Sequence, residues 1–285
     1  MVFAVNTDGT GFTNLYSFTG GSGGSRPTAG LILSSNTLYG TTSDDCCGVG
    51  TVFAINTDGT GFTTLHNLTS PDGASPQARL ILSGNTLYGT AKDGGSANAG
   101  TVFAVKTDGT GFRNLHSFSF VADGGSPRAG LILSGNTLYG TAELGGSSGR
   151  GTVFAINTDG TGFTNLYSFT QVSGSGTNSD GANPYGGLIL SGNTLFGTAH
   201  NGGSSGNGTV FSLSLSVPQL TIMRSGENVV LRWATNAAGF TLQSTTNLVS
   251  TAVWATVSPE PVLVNGQNAV TNAISGSGKF YRLSQ

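Results

Sequence analysis

A small set of chemically versatile side chains interrupts a sequence that otherwise copies itself about every 50 residues. One group directly follows a Gly-Thr-Ala tripeptide and consists of Lys92, Glu143 and His200. The other follows a repeated proline and consists of Gln77, Arg128 and Tyr185. Carboxylates and imidazoles act in acid–base catalysis and metal binding, whereas the other side chains bind polar ligands through hydrogen bonds. The two groups therefore predict a polar site, provided that the fold brings them together.

The repeated unit contains four short strand patterns, which we name A to D. In the first complete unit they cover residues 30–33, 37–41, 52–55 and 62–68. Apolar and polar positions alternate with the period of a strand, and no helical period is found. Asp-Gly pairs such as Asp58-Gly59 predict tight hairpins between strands C and D. Four antiparallel strands per unit, repeated around an axis, are typical of a β-propeller.

We therefore predict an all-β chain with a β-propeller of about four to five four-stranded blades over residues 1–216. The blade number stays open, because the sequence contains four A–B pairs but five C strands and four D strands. Pairing of the N-terminal C–D hairpin with the last A–B pair would close the ring and remove exposed sheet edges. The alternative is a truncated propeller, with further blades and a signal peptide upstream of Met1.

Strand polarity predicts where a site would lie. Strand A starts and strand B ends at the same end of a blade, so the D–A and B–C loops share that end. These loops differ between copies, whereas the A–B turns and C–D hairpins hardly vary. Binding sites are common on variable loops over a rigid scaffold. We therefore predict a ligand-binding opening lined by Gln77, Lys92, Arg128 and Tyr185; unconstrained drift of loop positions is the alternative.

The unit GLILSGNTLYGTA…GTVFAINTDGTGFTNLYSF resembles the tandem repeat of the gloeobacterial and verrucomicrobial proteins known as the GloVer family. The resemblance covers residues 2 to about 216 and implies a secreted or surface-anchored bacterial protein. It implies no particular activity, because the family offers no catalytic residues to transfer. Repeats that are poor in charge and rich in Ser, Thr, Asn and Gly also favour an extracellular location.

The composition changes at Val217-Pro218, where the repeat stops. Residues 217–285 resemble, in NVVLRWATNAAGFTLQSTTNL and GKFYRLSQ, the small immunoglobulin-like or fibronectin-like module that ends many secreted verrucomicrobial proteins. Trp233, with Phe240 and Leu242 on the next strand, suits the core of a small β-sandwich. We expect both Trp233 and Trp254 to be core residues.

Composition limits the functional classes. Charged residues make up 8% of the chain and the net charge is −2, so no surface for nucleic acid or anionic membrane is expected. No apolar run is long enough for a membrane span. The adjacent Cys46 and Cys47 cannot join distant strands, and both a vicinal disulfide and free thiols stay open. No nucleophile elbow of the serine hydrolases, zinc-protease motif, phosphate loop or paired Cys-x-x-Cys motif is present.

Three functional hypotheses remain. The first is a monomeric surface module that binds a glycan, peptide or small ligand at the variable end. The second is a Ca²⁺-dependent hydrolase, similar in arrangement alone to six-bladed propeller lactonases, in which Glu143 and His200 are catalytic. Its calcium ligands would be oxygen donors from four repeats, namely Asp44, Asp93, Glu143 and Asn201. The third is a structural or adhesive repeat protein.

Two further histidines are predicted to be structural. His66 and His116 occupy the strand D position that Tyr16 and Tyr167 occupy in the sister copies. We expect them to replace an outer-strand aromatic residue.

Overall fold

The computed structural model describes residues 1–43, 49–215, 218–234, 240–249, 251–274 and 278–284. These residues form strands and turns, with a single-turn 3₁₀ helix at Gly21–Gly23 and no α-helix in the described ranges. The all-β prediction is confirmed. Asp44, Cys46 and Cys47 lie outside the described residues, so their predicted roles stay predictions.

The chain forms two compact units. The first consists of Met1–Leu133 with Leu138–Leu213, and the second of Ser134–Thr137 with Ser214–Gln285.

In the described residues, the repeats fold into five successive antiparallel sheets, and in each sheet the strands lie side by side in chain order. Sheet 1 consists of β1 (Val2–Ala4) and β2 (Thr13–Tyr16). Sheet 2 consists of β3 (Ile32–Ser34), β4 (Thr37–Thr42), β5 (Thr51–Asn56) and β6 (Thr63–Asn67). Sheet 3 consists of β7 (Ile81–Ser83), β8 (Thr86–Ala91), β9 (Thr101–Lys106) and β10 (Arg113–Ser117). Sheet 4 consists of β11 (Ile132–Ser134), β12 (Thr137–Ala142), β13 (Thr152–Asn157) and β14 (Thr164–Ser168). Sheet 5 consists of β15 (Ile189–Ser191), β16 (Thr194–Ala199) and β17 (Thr209–Ser214).

The four-strand pattern of the repeat is confirmed, with one correction at strand A. The sequence pattern placed strand A of sheet 2 at residues 30–33, whereas β3 begins at Ile32. Gly30 and Leu31 precede the ladder and directly follow a bend at Ala29. Strands B, C and D match their predicted positions to within one residue at each end.

The core lies between successive sheets. Each sheet has a front face, directed at the next sheet, and a back face, directed at the preceding one. Between sheets 2 and 3, the front face supplies Tyr39 and Val52, and the back face supplies Leu87 and Phe103. The same positions recur in the cores between sheets 3 and 4 and between sheets 1 and 2. Alternation along a strand therefore fills two different cores, one on each side of the sheet.

The two ends of this series are incomplete sheets. Sheet 1 consists of β1 and β2 alone, and sheet 5 has three strands. The expected pairing of the N-terminal hairpin with the last A–B pair is therefore not formed. The reason is local: β17 follows β16 in the chain and pairs beside it, so the position that β1 would need is already occupied.

The second unit contains two antiparallel sheets. Their strands are β18 (Thr221–Ser225), β19 (Asn228–Ala234), β20 (Thr241–Thr245), β21 (Ala255–Thr256), β22 (Val262–Val264), β23 (Gln267–Ala273) and β24 (Phe280–Ser284). The orders are β18-β19-β23-β22 and β21-β20-β24. Trp233 and Leu242, one from each sheet, share a core with Val270. The core prediction holds for Trp233 but is wrong for Trp254, which is half-buried with the Arg282 guanidinium 4.2 Å above its ring.

Candidate functional site

The D–A and B–C loops lie together at one end of the sheets. Backbone bridges join Ala74 to Asp93, Gly125 to Leu144, and Ala182 to Asn201. At the other end, the hairpins meet the A–B turns, where the Thr57 amide donates to the Asn36 carbonyl (3.0 Å). The two classes of variable loop therefore share one end, as strand polarity requires.

A repeated backbone turn sets the position of each residue after the proline. The residue before the proline has a positive φ of 53–56° in four copies: Arg26, Ser75, Ser126 and Asn183. This conformation is unfavourable for a side chain other than glycine and for a residue before proline. In each copy its carbonyl accepts a hydrogen bond from the amide that follows strand B, as in Glu143 to Ser126 (3.2 Å). The strained turn thus holds the residue after proline beside the end of strand B.

Arg128 and Glu143 form the centre of a polar cluster. The Arg128 Nε donates to Glu143 Oε2, and its terminal nitrogen donates to Gln77 Oε1 at 3.2 Å. The Tyr185 hydroxyl donates to the other Glu143 oxygen at 2.9 Å. The Glu143 side chain is 9% exposed, whereas that of Arg128 is 31% exposed. Loop residues next to sheets 3, 4 and 5 are therefore joined in one hydrogen-bonded group around a buried carboxylate, which we name the Glu143 cluster.

The Glu143 cluster continues towards sheet 5 through Tyr185 and His200. The Tyr185 ring packs edge-on against the His200 ring at 5.0 Å, and the Arg128 guanidinium lies 5.4 Å from the Tyr185 ring centre. The hydrogen bond to Glu143, together with burial, raises the pKa of the Tyr185 phenol above its ordinary value. Tyr185 therefore stays a neutral donor at physiological pH, with an aromatic surface that is partly exposed.

Two asparagines support this arrangement. His200 Nδ1 lies 3.0 Å from Asn201 Oδ1, and the Asn201 amide donates to Asn183 Oδ1 at 3.1 Å. Asn183 in turn donates to the backbone carbonyl of Glu143 at 3.1 Å. Asn183 was not predicted from the sequence. Its signal was present, because asparagine tolerates the positive φ that this repeated turn imposes.

The remaining predicted residues have other surroundings. Lys92 Nζ lies 3.6 Å from Asp93 Oδ2, and both side chains are about one-third exposed. Among the described residues, no group of three or more His, Cys, Asp or Glu side chains is placed to hold a metal ion. The proposed calcium ligand Asp44 is outside the described ranges.

The other histidines are stacking residues, as predicted. His66 stacks on Phe112 with ring centres 3.8 Å apart, as Tyr16 stacks on Phe62 at 3.7 Å. His116 stacks on Phe163 at 3.6 Å and lies 3.0 Å from Asp123 Oδ2. Burial lowers the pKa of His116 below its ordinary value, although Asp123 opposes the effect.

Open cavities lie in the part of the repeat unit that the structure describes, and two of them border the site or the A strands. One of about 480 Å³ is bordered by Tyr185, His200, Gly208 and Val210 and adjoins the Glu143 cluster. The other, of about 570 Å³, is lined by the A strands of sheets 2 to 5 and by Arg79. The first offers both an aromatic ring and polar atoms to a ligand, which is the usual composition of a binding site.

Successive antiparallel sheets that stack face to face, with variable loops at one end, define a β-propeller-like repeat protein. The chain belongs to the Gloeobacter/Verrucomicrobia repeat family, whose model matches residues 1–179 and 47–253. No curated protein sequence matches the chain. In the described residues, no helix has the length and apolar character that a membrane crossing requires.

Solved structures show distant similarity. A chain of the nidogen/laminin complex is 19% identical with a TM-score of 0.43, over 72% of this chain and 71% of that one. TolB from Acinetobacter baumannii is 12% identical with a TM-score of 0.45, and the match covers 83% of this chain but 57% of TolB. A gluconolactonase from Xanthomonas campestris is 14% identical with a TM-score of 0.40, over 71% and 67% of the two chains.

Proposed function

We propose that this chain is a secreted or surface-displayed binding module that recognises a polar ligand, a glycan first among the candidates, at the Glu143 cluster. Residues 1–216 would form the β-propeller domain, and residues 217–285 a small immunoglobulin-like or fibronectin-like β-sandwich. The observation that carries the proposal is that Arg128 and Tyr185 converge on one carboxylate next to an open cavity, and that Arg128 also donates to Gln77.

The chemistry of the cluster favours binding over catalysis. Glu143 already accepts hydrogen bonds from Arg128 and Tyr185, one on each carboxylate oxygen, so its geometry suits a positioning role. The buried carboxylate fixes the orientation of the Tyr185 ring and of the Arg128 guanidinium. Preorganised aromatic and guanidinium groups of this kind lose little conformational entropy when a ligand binds. A sugar ring would stack on Tyr185 while its hydroxyl or carboxylate groups meet Arg128, His200 and Asn201.

The test is a titration with neutral and uronate-containing oligosaccharides and short peptides, followed by calorimetry. We expect Tyr185→Ala and Arg128→Ala each to weaken binding by about 1 kcal/mol or more, roughly five-fold or more in Kd. Asn85→Ala is the matched control, because Asn85 is an exposed residue of an A–B turn at the opposite end. Loss of binding in the control but in neither site variant would place the site at the wrong end.

The same samples separate binding from the calcium-dependent hydrolase hypothesis. A bound metal that recognises only the native state raises the melting temperature. Ca²⁺ that stabilises the wild type, together with Ca²⁺-dependent turnover of a lactone that His200→Ala abolishes, would replace the binding proposal. Unchanged melting in Ca²⁺ together with oligosaccharide binding supports the proposal.

A further inference from the structure

The cavity of about 570 Å³ beside the A strands of sheets 2 to 5 is lined by none of the residues of the Glu143 cluster. We name it the A-strand cavity. Its walls are mostly aliphatic and include Ile32, Ile81 and Ile132, each the first residue of its A strand. Among the described residues that line it, Arg79 alone carries a charge. An apolar cavity with one charged group in its wall has the composition of a site for a small ligand.

Arg79 replaces a residue that is glycine in the three sister copies. The equivalent positions, each three residues after the repeated proline, are Gly30, Gly130 and Gly187. A Cβ added at Gly130 would lie 3.1 Å from the Arg79 carbonyl oxygen, and one added at Gly187 would lie 3.9 Å from the Gly130 carbonyl oxygen. The positions in successive sheets are therefore close neighbours, and Arg79 supplies the only side chain among them.

The Arg79 side chain extends towards sheet 2 and brings an unpaired charge. A Cβ added at Gly30 would lie 3.6 Å from Arg79 Cδ. Within the described parts of the chain, the guanidinium has no hydrogen bond or ion pair with another residue. Arg128 differs, because its nitrogens already donate to Glu143 and Gln77. A guanidinium pairs with a carboxylate through two parallel N–H donors, and those of Arg79 are free for a ligand.

We propose that the A-strand cavity binds a small organic acid, whose carboxylate pairs with Arg79 and whose aliphatic part lies against the isoleucines. The charge of Arg79 specifies an anion. The aliphatic walls favour an apolar body over a fully hydrated ion, because apolar surface is removed from water when the two meet. A monocarboxylate with a short aliphatic chain combines both properties. This site and the one at the Glu143 cluster share no residue, so each can be present without the other.

The experiment is a titration of the full chain with hexanoate up to about 20 mM, followed by amide chemical shifts. A ligand of this size reaches a Kd of about 1 mM. We expect the amides of Gly130 and Gly187 to shift. Hexanamide, which lacks the charge, should bind at least about five-fold more weakly. Arg79→Gly introduces the residue of the sister copies and should weaken hexanoate binding about ten-fold or more.

Arg113→Thr is the matched control. It removes the same charge from strand D, at the opposite edge of sheet 3 from strand A. Threonine occupies the equivalent position in the other copies, namely Thr13, Thr63 and Thr164. Hexanoate binding that is kept in Arg113→Thr and weakened in Arg79→Gly supports the proposal.

Three results would overturn it. The first is a wild type that binds no hexanoate, or an Arg79→Gly chain that binds it equally well. The second is inorganic phosphate bound as tightly as hexanoate, because the aliphatic walls would then contribute nothing. The third is binding that is lost in Arg128→Ala but kept in Arg79→Gly, which would place the acid at the Glu143 cluster.

Discussion

At the residue scale, the location of Glu143 could be predicted from the sequence, but its hydrogen-bond partners could not. Its position at the end of strand B and its place at the variable end were predictable from strand polarity. Its partners were not, because Arg128 and Tyr185 meet it from two separate D–A loops, one of them leading into the next sheet. The sequence divided these residues between a ligand group and a catalytic group. The geometry unites them around a carboxylate that is mostly buried, which sequence alone does not show.

His116 offers a test of electrostatics within the aromatic stack. Its pKa is lowered by burial, so the unfolded chain takes up a proton at a higher pH than the folded one. Stability from neutral His116 is therefore complete above the unfolded pKa of about 6.5 and is lost as the pH falls below it. The hairpin aspartates do not interfere, because hydrogen bonds from Thr60, Thr110 and their equivalents lower the pKa of those carboxyl groups.

We expect His116→Tyr to flatten the fall of the melting temperature between about pH 8 and about pH 5.5. Tyrosine occupies the equivalent position at Tyr167, where its hydroxyl donates to Asp180 at 2.8 Å, so the stack should be kept. Thermal melts of wild type and variant at both pH values provide the measurement. Equal slopes for the two proteins would show that His116 does not carry this dependence.

At the scale of elements, the repeat made the strands predictable because its alternation is preserved in every copy. Internal copies also reveal which positions vary, which a single unrepeated domain does not. The start of strand A was predicted two residues too early. The reason is that the apolar residues of the pattern begin before the strand does, at Leu31. The positive φ before that proline is hard to predict from the sequence, because only Asn183 among the four copies is a residue that favours it, and Arg and Ser occupy the other copies.

Two glycines of the C–D hairpins allow the cost of a positive φ to be measured apart from the cost of close packing against the neighbouring sheet. Gly109 and Gly160 have similar φ values, 84° and 91°. A Cβ added at Gly109 would lie 2.9 Å from the Leu65 carbonyl oxygen, whereas at Gly160 its nearest neighbour would be 3.4 Å away. Both alanine variants should therefore lose about 1 kcal/mol through the positive φ, and Gly109→Ala should lose more.

Urea denaturation of Gly109→Ala and Gly160→Ala measures the difference. Equal losses would mean that the neighbouring sheet moves aside at no cost. No loss in either variant would contradict the turn geometry itself.

At the scale of the whole molecule, the repeats behave as a one-dimensional series. Each sheet is stabilised by its own ladder and by the cores on its two sides, so a sheet with only one neighbour is less stable. Sheets 2 and 3 have a core on each side. Sheet 1 has a core on its front face alone and consists of two short strands.

Amide hydrogen exchange should therefore rank the sheets by their number of neighbours. We expect β1 (Val2–Ala4) to exchange fastest among the C strands and β9 (Thr101–Lys106) to be among the slowest, since all but the last residue of β9 are buried. Protection of β1 equal to that of β9 would show that the repeat unit opens as a single cooperative block. A gradient from sheet 1 inwards would show instead that each added neighbour contributes its own share of the stability.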